Sequence, residues 1–167
     1  MKRLFIAINL PESLKEKLEL EKEKELGNAV KWVEKHNLHL TLAFLGSVKD
    51  EEIPFIIEKM EKAEKGSFSL KLKKITYDRI PPRLIWIELE KNERLDKLAK
   101  SLNQKPFFGH ITLGRVKTWA WKRIEPEERP QIAKELNFEF QVKSIELMES
   151  ILKKQGPEYH ILQSIKL

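Results

Sequence analysis

Apolar positions mark out the elements one after another. From Lys2 to Leu10 the run KRLFIAINL has the length and composition of a strand. Pro11, Glu12 and Ser13 then open a helix that the pattern carries to Leu26, where Gly27 supplies a stop. Leu38 to Phe44 reads as the next strand. A second helix begins at Asp50: Ile53, Ile56, Ile57 and Met60 recur at helical spacing, Pro54 falls in the first turn, where its missing N–H is tolerated, and Gly66 ends it. Phe68, Leu70 and Leu72 alternate with polar residues as a third strand.

After Pro81 and Pro82 the same order restarts. Leu84 to Leu89 is a strand, Leu95, Leu98, Ala99 and Leu102 form the apolar stripe of a helix, and Gly109 to Val116 is a strand again. A weaker helical segment is predicted from Glu125 to Leu136, interrupted by Pro130. It leads into a strand from Phe138 to Met148 whose FEFQV alternation mirrors FSLKL at Phe68, and Tyr159 to Lys166 forms a last strand. Landmarks recur at nearly constant offset: Arg3 with Arg83, His39 with His110, Phe68 with Phe138. The pattern predicts one α+β domain over 1–167, with one repeat at about 2–77, a second at about 83–148 and a terminal strand at about 159–166. Two copies are too few for a solenoid, so two similar lobes should pack together, and ligands favour such interfaces.

The repeated strands carry the chemistry. In Leu38 to Phe44 the residues Leu38, Leu40, Leu42 and Phe44 are expected to face the core, which turns His39 and Thr41 the other way. In the second copy Ile111 and Leu113 point inward while His110 and Thr112 share the opposite face. An imidazole and a hydroxyl two residues apart on a strand are surface neighbours: the ring can move a proton and the hydroxyl can bond an oxygen of the same substrate group. A single strand His is ordinarily a surface or satisfied core residue. Here two of 4 His residues occupy matching places, each with Thr two residues on. His36 and His160 lack that context and read as structural or solvent-facing.

Composition narrows the possibilities. With 41% hydrophobic and 35% charged residues the chain can bury a core under a heavily ionised surface. Cys is 0, which removes disulfides, thiolate nucleophiles and Cys-ligated zinc. The opening apolar run is too short for a signal peptide, and no stretch of about 18 apolar residues occurs, so a cytoplasmic protein with no membrane association is expected. Abundant Lys and Glu without Cys resembles a thermophile composition. The net charge of +6 favours polyanionic partners such as RNA, and fits equally a basic surface without a ligand.

Each HisxThr offers one imidazole, and no Asp or Glu accompanies either at ligand spacing, so no metal site is predicted. A phosphate-binding glycine loop and a serine-nucleophile elbow are both missing from the sequence. Two histidines without a metal suit phosphoryl transfer at a phosphodiester, one as general base toward water and the other as general acid toward the departing alkoxide. Thr41, Thr112 and a cation would stabilise the added negative charge. Arg115 is the candidate cation. Strict alternation would put it on the core side, so the role requires the strand to end or bulge at Gly114; otherwise Arg115 is a surface residue at a strand end.

His39 to Gly46, HLTLAFLG, and His110 to Val116, HITLGRV, resemble the paired signatures of the 2H phosphoesterase family, most closely its RNA 2′,3′-cyclic phosphodiesterases, also described as 2′,5′ RNA ligases. The similarity extends to Arg3 to Ile8, to the Trp32 segment, and to Ser150, Gly156, Pro157, Glu158 and Tyr159 before the last strand. It implies a duplicated, bilobal α+β fold with two antiparallel sheets flanking a central cleft and helices outside. It further implies metal-independent hydrolysis, with no cofactor, of RNA 2′,3′-cyclic phosphate ends to 2′-phosphates, tRNA fragments being candidate substrates for a monomeric enzyme. By that resemblance His39 and His110 are catalytic, Thr41 and Thr112 bind phosphate, and Arg115 binds substrate. Gly109 departs from the family's usual Pro and loosens φ before the second motif. Joining RNA halves through a 2′,5′ bond, the chemical reverse, and holding RNA ends without turnover are the alternatives.

Overall fold

Nine strands and four α-helices form among the described residues, which are 1–22, 24–102 and 106–167 of the computed structural model. In chain order they are β1 (Lys2–Asn9), α1 (Glu12–Leu20), β2 (Val30–Trp32), β3 (His39–Val48), α2 (Ile53–Glu61), β4 (Phe68–Tyr77), β5 (Leu84–Leu89), α3 (Glu93–Leu102), β6 (His110–Val116), α4 (Thr118–Trp121), β7 (Ala133–Val142), β8 (Ser144–Lys153) and β9 (Gly156–Lys166). All strand pairs are antiparallel, in the order β7-β4-β5-β6-β3-β1-β8-β9, with β2 added beside β6.

The sheet has a seam. Between β3 and β6 the only register pair is Leu40 with Ile111, whereas β1 pairs with β3 along its whole length. The two antiparallel sheets expected from sequence are therefore the halves β7-β4-β5-β6 and β3-β1-β8-β9, touching at one point beside both histidines. α1, α2 and α3 cover one face. Leu14 and Leu18, Met60 and Ala63, and Leu95, Leu98, Ala99 and Leu102 join Leu4, Ile6, Ile8, Leu40, Ile87 and Ile111 in the main core. Asn92 fixes the start of α3, its side-chain oxygen accepting from the Arg94 and Leu95 amides at 3.1 and 3.0 Å. On the other face of β1, Phe5 and Ala7 pack with Met148 and Tyr159.

Three elements differ from expectation. α1 ends at Leu20, and a 3-10 segment, Lys24–Ala29, with Gly27 at φ 46°, turns the chain into β2. The helix predicted over Glu125 to Leu136 is not formed: Pro126–Glu128 makes one 3-10 turn, and Ala133 onward is strand, because Pro130 denies the helix an N–H and β4 supplies a pairing edge. The single strand expected from Phe138 to Met148 is two, β7 pairing with β4 in one half and β8 with β1 in the other, so the chain changes halves at Lys143.

A bulge interrupts both motif strands at the same place. β1 advances from Ile6 to Ala7 while β3 moves from Ala43 to Thr41, and β5 advances from Ile85 to Trp86 while β6 moves from Gly114 to Thr112. Two successive residues therefore turn inward, Leu42 with Ala43 and Leu113 with Gly114, all buried. The alternation resets beyond them. Phe44, expected in the core, is instead 76% exposed on the cleft face, and Arg115 emerges at the corresponding place on β6.

Gly114 serves the bulge and also admits β2. A Cβ there would lie 2.6 Å from Val30 Cγ1 and 2.9 Å from the Trp32 ring. Gly114→Val is expected to lower stability by about 1–3 kcal/mol through overpacking, read as a lower denaturant midpoint at unchanged slope. An unshifted midpoint would mean that β2 can retreat without loss.

Candidate active site

The seam places both motifs on one surface. Because Leu40 opposes Ile111 and both point to the helices, the residues flanking them point the opposite way. His39, Thr41, His110, Thr112 and Arg115 consequently border one cleft of about 590 Å³ between the halves of the sheet. The cleft is closed at one side by the turn after β8. Lys31 Nζ donates to the Gln155 carbonyl at 3.1 Å, and Asn37 Nδ2 donates to the Pro157 carbonyl at 2.9 Å.

Both imidazoles are tethered alike. His39 Nδ1 lies 2.7 Å from the Asn37 carbonyl oxygen and His110 Nδ1 lies 2.9 Å from that of Phe108, in each case two residues upstream. A carbonyl only accepts, so each Nδ1 carries a proton and each neutral ring keeps a free lone pair on Nε2. For His39 that lone pair accepts the Thr41 hydroxyl at 2.9 Å.

Aromatic rings hold the two imidazoles in place. Phe5 and Tyr159 stand 5.0 and 5.2 Å from the His39 ring, Tyr159 edge-on. Trp86 and Phe108 stand 4.6 and 6.4 Å from that of His110. Burial among these rings pushes the His39 pKa down; the Asn37 hydrogen bond opposes the shift, while the positive charges of Lys15 and His110 add to it. Lys15 is itself buried, donates to the His36 carbonyl at 3.1 Å, and has its own pKa lowered chiefly by desolvation. Tyr159 is pushed up by burial, against the charges of Arg115 and Arg3, so Arg115 on β6 acts across the cleft on a residue of β9.

His36 is exposed at the cleft rim, and His160 is a surface residue 3.2 Å from the Glu158 carboxylate. Sequence reading missed Asn37, Trp86, Phe108 and Tyr159 as parts of the histidine surroundings. Asn37 and Phe108 act through main-chain oxygens, which leave no side-chain signal. Among the described residues no group of three or more His, Cys, Asp or Glu is placed to hold a metal ion, and no helix is long and apolar enough to cross a membrane.

Residues 8–86 match the sequence model of the LigT-like phosphoesterases. A Thermotoga maritima protein named RNA 2′,3′-cyclic phosphodiesterase is 32% identical, the match covering 96% of this chain and 92% of that one. An Archaeoglobus fulgidus protein of the same name is 33% identical, over 96% and 98%. The crystal structure of Escherichia coli LigT complexed with 3′-AMP superposes with a TM-score of 0.84 at 26% identity, covering 99% of this chain and 98% of that one.

Proposed function

The chain belongs to the LigT-like phosphoesterase family, and on that premise we propose that it opens RNA 2′,3′-cyclic phosphate ends to 2′-phosphates, using two histidines and no metal ion. The observation that carries the reading is the pair of Nδ1-tethered imidazoles bordering one cleft beside two Thr hydroxyls and Arg115.

His39 is the base. Its lowered pKa keeps it neutral at physiological pH, and its Nε2 lone pair takes a proton from the attacking water. The new bond forms between that water oxygen and phosphorus, the P–O3′ bond breaks, and His110, entering as imidazolium, gives its Nε2 proton to O3′. The product keeps its phosphate on O2′. The cycle ends with His39 protonated and His110 neutral, and exchange with solvent restores both. On substrate binding the Thr41 hydroxyl turns from His39 Nε2 to a non-bridging oxygen, which frees that lone pair for the water, and Thr112 and Arg115 donate beside it where charge builds as the ring opens. Phe44, exposed on the cleft face, offers a ring on which the terminal base can stack.

The direct test is turnover of a 2′,3′-cyclic mononucleotide in excess chelator. Hydrolysis to the 2′-phosphate at an undiminished rate is expected. Loss of activity on chelation, restored by zinc or manganese, would overturn the two-histidine mechanism, and tight binding of RNA ends without turnover would assign a binding module.

A further inference from the structure

We infer that a second site, built around Trp119 just outside the cleft, binds the single-stranded RNA leading up to the reacting end. This inference rests on the proposed reaction and extends it from the terminal nucleotide to the body of the substrate.

The first observation is a pair of tryptophans with opposite fates. In α4, Trp121 is 6% exposed and packs edge-on against Tyr77 at 5.4 Å, which anchors the helix. Trp119 is 57% exposed. A large ring left in water on a short anchored helix is a stacking surface, and the two cations that lie over it would pass to neighbouring phosphates as a base takes their place. Arg123 Cζ lies 5.3 Å and Lys117 Nζ 6.0 Å from the Trp119 ring centroid.

The second observation is charge without counter-charge. Arg115, Lys117, Lys122 and Arg123 fall in a stretch whose next carboxylate is Glu125. Among the described residues none of the four makes an ion pair, as is true of other surface cations; what marks this stretch is four cations between Arg115 and Arg123 with no carboxylate among them. Moreover, Lys31 on β2 stands directly opposite Arg115 on β6, and both border the cleft. Like charges directly opposed across strands destabilise a sheet, so an arrangement that keeps them there is suited to an anion lying over both.

The two observations join end to end. After the bulge Arg115 faces the cleft; Lys117 lies one residue past the end of β6, and the Trp119 helix turn follows directly. Four residues of chain span at most about 14 Å, no more than about four nucleotide steps at a rise near 3.4 Å. A strand whose terminal phosphate sits at Arg115 can therefore pass its next phosphates over Lys31 and Lys117 and stack an upstream base on Trp119. Stacking on an open ring requires an unpaired base, which selects single-stranded ends over blunt duplex ends.

The test uses the full chain, a 2′,3′-cyclic mononucleotide, and a ten-nucleotide single-stranded RNA with the same cyclic end. Trp119→Ala is expected to weaken the oligonucleotide roughly five- to one-hundred-fold in KM, the range for losing one stacked base, while Trp119→Phe recovers most of the loss. The mononucleotide, too short to reach α4, should keep its kcat/KM in the alanine variant. Arg123→Ala and Lys117→Ala should each reduce the salt slope of oligonucleotide binding by about one. An oligonucleotide KM unmoved by Trp119→Ala, or a loss equal on both substrates, overturns the outer site while leaving the reaction intact. Failure of the unsubstituted protein to open either substrate would instead strike the reaction. A blunt duplex end bound as tightly as the single strand would overturn the stacking role.

Discussion

Replacing His39 or His110 by alanine is expected to slow opening of a 2′,3′-cyclic nucleotide by roughly 10²–10⁴, the range for losing a general acid or base. His160→Ala should leave the rate unchanged, since that ring sits outside the cleft beside Glu158. The folded state should persist in both inactive variants, because each ring is only partly buried and its neighbours belong to strands paired along their length. The pH profile separates the two roles. Burial drives the His39 pKa below the ordinary value near 6.5, so activity should fall on the acid side only as pH passes below that value and the base becomes protonated. That acid limb should vanish from the residual rate of His39→Ala and survive in His110→Ala. An acid limb that instead disappears with His110 would exchange the assignments.

The common placement of the four motif residues was legible in the sequence because they form a short, repeated side-chain pattern. HisxThr on an alternating strand determines which face each residue takes, and β3 and β6 place all four residues on that face. Alternation failed one turn later, at Phe44, because a bulge is a main-chain event: Leu42 and Ala43 are both apolar, and nothing in their identity says that they share one inward step. On β6 the sequence named the event only as a condition, a strand end or bulge at Gly114 being required for Arg115 to reach the cleft, with a surface Arg at the strand end as the alternative; the structure has the bulge. The false helix from Glu125 to Leu136 has another cause. Local spacing of apolar residues there competes with an unpaired edge of β4, and non-local pairing is invisible in a short window. The crossing of the chain from β7 into β8 did leave a trace: apolar residues fall at Phe138, Phe140 and Val142 and then at Ile145 and Leu147, so the alternation changes phase at Lys143 and Ser144, where the chain changes partners. The tethers on both histidines could not be read at all, because carbonyl groups are common to every residue.

Arg115→Lys is expected to lose about ten-fold or more in turnover although the charge is kept, and Arg115→Ala about 10²–10³, comparable with removing a donor to a developing oxyanion. The bulge at Gly114 delivers the guanidinium to the cleft face, where its charge reaches Tyr159 on the opposite half of the sheet. From there its planar fork can hold two phosphate oxygens at once, a geometry that a single ammonium group cannot reproduce. Lysine also places its charge differently, so the variant tests direction as well as sign. Ground-state affinity offers the contrast. The long-range attraction of a cation for a polyanion survives the Arg-to-Lys change, so the KM for RNA should shift little while kcat falls, and the salt slope of binding should stay the same. Arg115→Lys with full kcat and a raised KM would place the residue with the phosphates upstream of the reacting one, and leave Thr41 and Thr112 as the only side chains outside the histidines that meet the charge as the ring opens.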